Sequence, residues 1–533
     1  MSEPQTALPL DCPPVSSSNQ DPSAPGAEET AQAAHGISRA SAWAVETLKW
    51  AFSFPVMLGA LLAGLVFYQA RVFNADPDTW WHITAGQDIL RTHHWPTVDS
   101  YSFTAANTPW IAYEWLGEVA LAGASKVGGL YALAGLRFAL ATLVVLALYC
   151  LGTLRSRNCK AGFLPALVLA WLVLLSFTLR PQMFGYLFLV LLLVVLELFR
   201  KGVTWPIWTL PVLFLLWVNT HGSFIVGIGV LAVYLLCGLK SFELGSIQAI
   251  AWSAKQRIQL ELALLLSLAV LPVTPYGTQL AVYPFDIMFS QPVNLASILE
   301  WRPMPFEQAM GRGFLALVVL LVLLQLLFRF AWRMEELLLA VGGTVMAFIH
   351  VRMILLFVPF IVPVFATIAA RWLPPYSRTK DQPILNGLIA AAVVAAMIYY
   401  APSRDSVQGK VAATFPVDAV AYLDSHDLPG PMFNYYAFGG YLVSQNRKTF
   451  IDGRADIFER SGVLADYMIA VQLKPGALAV LDRYKIQSCL LLKDEPLGIV
   501  LGSLPQWKRV YSDGTAALFV RQGGRDQSSL GNR

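Results

Sequence analysis

The chain has 533 residues, of which 56% are hydrophobic and 14% charged, against about 25% charged in a soluble domain. That imbalance excludes a single water-soluble core and leaves a bilayer as the solvent for most of the chain. A net charge of +4 with no basic, aromatic-interleaved stripe excludes a nucleic-acid binder. The five scattered cysteines, none in a C-x-x-C pair, argue against a disulfide framework or thiol chemistry.

Residues 1–45 are rich in Ser, Pro, Ala, Gln and Glu and are expected to form a disordered cytoplasmic tail. The first apolar run then reads as a retained signal anchor. Apolar runs follow at 50–70, 130–152, 162–179, 183–199, 205–218, 223–239, 259–273, 314–328, 335–349, 353–370 and 384–400. Several fall short of the ~20 residues needed to span, and 205–218 with 223–239 is either two tight spans or one broken hairpin. The expected body, residues 46–402, is an all-α multi-pass transmembrane unit of about eleven helices, with re-entrant or interfacial helices in a first outer loop, 71–128.

Residues 403–523 read as a small α/β domain, followed by a disordered tail, 524–533. A helix is expected at 418–425, strands at 431–435, 440–444, 449–452, 489–492 and 516–520, and helices at 461–472 and 477–484. No internal repeat, G-x-G-x-x-G or P-loop pattern is present.

Alternate loops are basic: Arg155, Arg157 and Lys160; Arg200 and Lys201; Lys240, Lys255 and Arg257; Arg329 and Arg333; Arg371, Arg378 and Lys380. The positive-inside rule places these and the N-terminus in the cytoplasm. Eleven spans then put the C-terminal domain outside, which in a bacterium is the periplasmic face of the inner membrane. The opposite loops hold six of the seven histidines, and polar groups near membrane depth usually line a cavity. One polar site at the outer face, roofed by the C-terminal domain, is the expectation.

Its candidate residues start with Asn74-Ala-Asp-Pro-Asp-Thr-Trp-Trp-His82. Asp76 or Asp78 suits a general base or a divalent-cation ligand on a phosphate; Asp76 before Pro77 equally suits a helix cap. Trp80 and Trp81 suit interfacial anchoring, and His82 suits either phosphate binding or a loop hydrogen bond. Glu114, between Tyr113 and Trp115, is a second carboxylate or a cap. Arg180, His221, His350, Arg352 and Arg302 lie at the same outer level and suit an anionic lipid phosphate; snorkelling is the plainer role for Arg180. In 433–441 and 450–456, Asn434, Asp452 and Arg454 suit acceptor contacts, although Asp452 and Arg454 most simply form a local ion pair.

In this order the features resemble the bacterial GT-C class of membrane glycosyltransferases. The resemblance rests on Asp76-Pro-Asp78, the outer Arg and His residues, the multi-span body and the C-terminal domain. A multi-span group of bacterial membrane proteins shares the layout more closely, over most of its length, but that resemblance brings no activity with it. The GT-C resemblance implies a largely helical fold and a polyprenyl-phosphate-linked sugar donor. It also implies a glycan, lipid or protein acceptor at the outer face, and an acidic role for Asp76 or Asp78 as base or Mg or Mn ligand. The acidic pair of the mannosyltransferases of this class is missing. The alternatives are a lipid or solute transporter or flippase, which would want midplane ionisable groups and an inverted repeat, and a non-catalytic envelope assembly protein.

Overall fold

The computed structural model describes residues 46–522, apart from 48, 73–75, 176 and 298; both expected disordered tails lie outside the described residues. The chain is mostly helical. Each of the eleven apolar runs contains a helix, from Phe54–Ala70 to Pro383–Tyr399. Four helices among the described residues are long and apolar enough to cross a membrane: Trp115–Ser156, Gln182–Arg200, Ala309–Phe328 and Val351–Ala369. A fifth counts if the 57° bend between Pro383–Tyr399 and Arg404–Ala412 lies within one span. The others are shorter, as the length of their apolar runs requires.

Burial separates helices of similar composition. Ile354–Ala369 buries nearly every side chain, whereas Ala309–Phe328 buries only Gly311, Phe314 and Leu321. The latter exposes Leu315, Val319, Leu320, Leu323, Leu326 and Leu327, a surface that is stable in lipid but not in water. Away from the outer loops, Arg155–Glu336, Arg333–Glu197 and Arg200–Glu335 pair at 2.5, 2.6 and 2.9 Å. They tie the basic loops to acidic helix ends.

The first outer loop contributes helix Pro77–Thr92 and the start of Trp115–Ser156. The latter breaks at Gly128 and Gly129, where Gly129 has φ 57°, a conformation that costs glycine little. Trp81, Ala85, Ile89 and Trp110 of this loop share one core with Phe433, Phe450, Ile457 and Phe458 near the C-terminus.

The C-terminal sheet contains β4 (Met432–Asn434), β5 (Ser488–Leu492), β6 (Trp507–Ser512) and β7 (Ala516–Arg521), in the order β4-β5-β7-β6; β1–β3 are short strands at 242–244, 247–249 and 332–333. β4 and β5 are parallel and the other pairs antiparallel. The helices at 418–425 and 477–484 and three of the expected strands are present; three expectations are corrected. Residues 440–444 belong to helix Tyr436–Ser444. Its Gly440 lies against the Pro77 carbonyl and Gly439 against the Ile451 carbonyl, where a Cβ would collide, so Gly440 serves close helix packing and Gly439 the approach of the 449–452 segment. Residues 449–452 are irregular, with a lone bridge from Thr449 to Ser102. The expected helix 461–472 begins earlier, as Ala455–Arg460 and Val463–Val471. Strand β6 was not expected: Lys508, Arg509 and Ser512 along it leave no clean apolar alternation.

Candidate functional site

Asp76 and Asp78 divide the two roles their spacing allows. Asp76 is the N-cap of Pro77–Thr92, its Oδ1 accepting from Asp78 N at 2.9 Å, with Pro77 in the first turn. The same oxygen accepts from Arg180 Nε at 2.7 Å. One turn of geometry then aims Asp78 into a cavity of about 110 Å³ that Asp76 does not line. Gly453 closes over Asp78: a Cβ there would collide with Asp78 Oδ1.

Arg180 enters from the short Arg180-Pro181-Gln182 turn and gathers three carboxylates. Its Nη1 lies 3.1 Å from Asp78 Oδ2 and 3.0 Å from Glu300 Oε1. Arg352, in the turn after Met334–Ile349, faces the other oxygen of Glu300 at 3.7 Å and donates to Gln182 Oε1 at 3.2 Å. Its guanidinium lies 4.4 Å from the Trp301 ring centroid. Both arginines, Gln182 and Glu300 line the cavity.

A second group faces them. Glu114 Oε1 lies 3.3 Å from His221 Nε2, and its Oε2 lies 3.6 Å from His82 Nε2. Ser223 N–H donates to His221 Nδ1 at 3.0 Å, which leaves the neutral ring's proton on Nε2. His82 Nδ1 lies 3.2 Å from Glu118 Oε1. Tyr113 and Tyr283 stack at 4.2 Å, and the Tyr283 hydroxyl donates to Asp456 at 2.9 Å. Tyr436 and Asp456 complete the wall from the C-terminal side.

Burial dominates the electrostatics of these outer-loop groups. It lifts the Asp78 carboxyl to about 7 against the pull of Arg180, with Asp76 and Glu300 adding to the rise. It lifts Glu114 to about 8 against Arg352 and Arg180. Burial, with Arg352, lowers His221 to about 3, and His82 also falls well below its usual range, so both rings are neutral near pH 7. Glu300 is the exception: Arg180 and Arg352 outweigh its burial and hold it below the usual carboxylate range.

The structure thus brings together Asp78, Arg180, His221, Arg352, His82 and Glu114. His350 hydrogen-bonds the Trp301 carbonyl at 2.6 Å and meets that ring edge-on; it braces the platform under Arg352 and does not line the cavity. Arg302 is exposed and also outside the lining. Asn434 is buried, bonding the backbone of Phe450 and Ile451. Arg454 is fully buried between Asp99 at 2.6 Å and Asp452 at 2.7 Å. These three C-terminal residues hold the 449–456 turn, and the residue that turn presents to the cavity is Asp456. Glu300, Tyr283, Tyr436 and Asp456 were not singled out from the sequence. For Asp456 the signal was at hand, two residues past Arg454. Among the described residues no group of three or more His, Cys, Asp or Glu side chains is arranged to hold a metal ion.

These features define a membrane protein with a cavity of carboxylates, arginines and neutral histidines, closed by its C-terminal unit. No family model matches the chain, and no curated protein matches it. Solved structures with similarity include the Archaeoglobus fulgidus oligosaccharyltransferase tethered to an acceptor peptide. It is 12% identical, with 82% of this chain and 69% of that chain covered and a TM-score of 0.49. The same organism's AglB, in complex with an inhibitory peptide and a dolichol-phosphate, is 11% identical over the same shares, with a TM-score of 0.47. ArnT from Cupriavidus metallidurans, bound to undecaprenyl phosphate, is 14% identical, with 87% and 97% covered and a TM-score of 0.48. These neighbours are GT-C glycosyltransferases, the class the sequence resembles.

Proposed function

We propose that this chain is a membrane glycosyltransferase that moves a sugar from a polyprenyl-phosphate donor to an acceptor at the outer face. The observation that carries the reading is the convergence of Asp78 with Arg180 and Arg352 on one polar cavity. Two guanidiniums suit a phosphate, which they bind through charge-assisted, often bidentate hydrogen bonds. A carboxylate beside them with a pKa near 7 suits a general base.

In the proposed reaction Asp78 takes the proton of the acceptor hydroxyl as its oxygen attacks the anomeric carbon. The bond from that carbon to the phosphate oxygen breaks, and the lipid phosphate leaves with the electron pair. Arg180 and Arg352 stabilise the charge that develops on it. Attack opposite the leaving group inverts the anomeric centre. Asp76 holds Arg180 and the helix start, and His350 holds Trp301 beneath Arg352. Tyr283, Tyr436 and Asp456 form the wall that meets the acceptor or sugar.

The proposed setting is a bacterial inner membrane with about eleven crossings, short helices included, and the C-terminal α/β unit on the periplasmic side. A divalent cation would take Asp78 and Glu300 as carboxylate donors and compete with Arg180, which already bridges them. Turnover that survives chelation places Arg180 in that role; turnover lost and restored by Mg or Mn places a cation there.

Native mass spectrometry of purified protein with a polyprenyl phosphate tests the reading. Wild type is expected to retain the lipid and Asp78→Asn to retain it as well, because the base is not needed for binding. Wild type that binds no lipid phosphate overturns the proposal.

A further inference from the structure

One carboxylate already joins the two guanidiniums that the phosphate would use. Glu300 Oε1 lies 3.0 Å from Arg180 Nη1, and its Oε2 lies 3.7 Å from Arg352 Nη1. A carboxylate that turns one oxygen to each guanidinium stands where two oxygens of a phosphate would stand. Both Nη1 atoms face this acid before any ligand arrives.

Other contacts hold the arginines in place. Arg180 Nε donates to Asp76 at 2.7 Å. Arg352 Nη2 donates to Gln182 at 3.2 Å, and its guanidinium lies 4.4 Å from the centre of the Trp301 ring. These contacts use atoms that Glu300 does not, so both forks stay aimed at the cavity without it, and a site ordered in advance binds more tightly.

Glu300 is also the acid with a way out. Of the three carboxyls on Arg180, Asp76 is the helix cap with 6% of its side chain exposed, and Asp78 lies beneath Gly453 at 15%. Glu300 is 34% exposed, and its ion-pair partners among the described residues are the two arginines alone. The backbone that follows it is anchored: the Trp301 carbonyl bonds His350 at 2.6 Å, and the Arg302 carbonyl accepts from the Val351 N–H at 2.9 Å.

We infer that Glu300 fills the seat between Arg180 and Arg352 in the empty site and that the lipid phosphate displaces it. The inference rests on the phosphate reading of this cavity. Three carboxyls already surround Arg180, so a phosphate added beside a seated Glu300 would bring one more anion to an acid-rich site. Rotation of the Glu300 side chain towards solvent, with its backbone in place, lets the phosphate take its contacts instead. Until then the carboxylate keeps two neighbouring guanidiniums paired, where they would otherwise repel each other. Glu300 thereby sets the affinity, because each phosphate that binds has to break this pair.

The test is polyprenyl-phosphate titration of the full-length protein by native mass spectrometry in the presence of a chelator, with thermal unfolding of the same samples. Glu300→Gln keeps the size and removes the charge, and is expected to bind the lipid about fivefold more tightly than wild type. Glu300→Ala is expected to bind more tightly as well. The gain from Glu300→Gln is expected to be smaller in an Arg352→Ala protein, where one of the two guanidiniums Glu300 competes for is gone. Equal or weaker binding by both folded Glu300 variants, beside a wild type that binds, overturns the inference and leaves the phosphate reading standing. A gain undiminished in the Arg352→Ala protein also overturns it, because Glu300 would then repel the ligand from outside the seat. No lipid retained by wild type or by either Glu300 variant refutes the phosphate reading itself, and the inference with it.

Discussion

Replacing Arg352 with Ala isolates phosphate binding from folding. Arg352 is lightly committed to the protein: Glu300 at 3.7 Å, Gln182 at 3.2 Å and the Trp301 face. The Glu300 pair is partly exposed, at 23% and 34% of the two side chains, so its loss costs stability at most about 1 kcal/mol. Arg180 differs, since it pairs with Asp76, Asp78 and Glu300 at once; removing it would disturb the helix cap as well as the cavity. A hydrogen bond to a charged group contributes about 1.5–3 kcal/mol, so Arg352→Ala is expected to weaken polyprenyl-phosphate binding by about ten- to 150-fold. Arg352→Lys keeps the charge but loses the planar fork, and an intermediate affinity is expected. The assay is lipid titration by native mass spectrometry, with thermal unfolding of the same samples. Unchanged lipid affinity in a folded Arg352→Ala protein would refute the placement of the phosphate.

Further outcomes follow from the same geometry. Gly453→Ala drives a methyl into Asp78 Oδ1 and is expected to cut turnover by about a hundredfold with lipid binding retained, measured by transfer and binding assays in parallel. Transfer should fall on acidification through Asp78's pKa of about 7, because the base is protonated below it; a pH–rate profile with no limb there would count against Asp78. Asp76→Ala should lower stability by about 1 kcal/mol or more through the lost cap, whereas Asp76→Asn keeps the cap and should recover most of that in thermal unfolding. Arg454→Ala leaves Asp99 and Asp452 buried without their cation. It should cost about 3–5 kcal/mol, seen as early unfolding of the C-terminal unit in hydrogen exchange.

The helical body was legible because eleven apolar runs give a signal far above that of any soluble segment. The number of crossings was less so, since runs such as 223–239 are short for a span whatever their hydropathy. Asp76 and Asp78 were visible as a pair, but their division of labour depends on a cap geometry and on Gly453, nearly four hundred positions away in the chain. The arginines were legible because cations at that depth are costly and therefore conspicuous. Glu300 and Asp456 were not, because an acid in an outer loop is ordinary until the fold seats it beside Arg180 or Tyr283. In the C-terminal unit, residues 440–444 read as a strand but belong to a helix. Gly440 there serves packing against Pro77–Thr92 and Gly439 the approach of the Ile451 carbonyl, tertiary contacts that no local pattern encodes.

The most direct measurement is transfer of a labelled sugar from a polyprenyl-phosphate donor by wild type and Asp78→Asn, with bound lipid quantified in the same samples. The account predicts transfer with inversion by wild type. Asp78→Asn should bind lipid normally but transfer about a hundredfold or more slowly. Equal transfer by both proteins, or retention of the anomeric configuration, would contradict it.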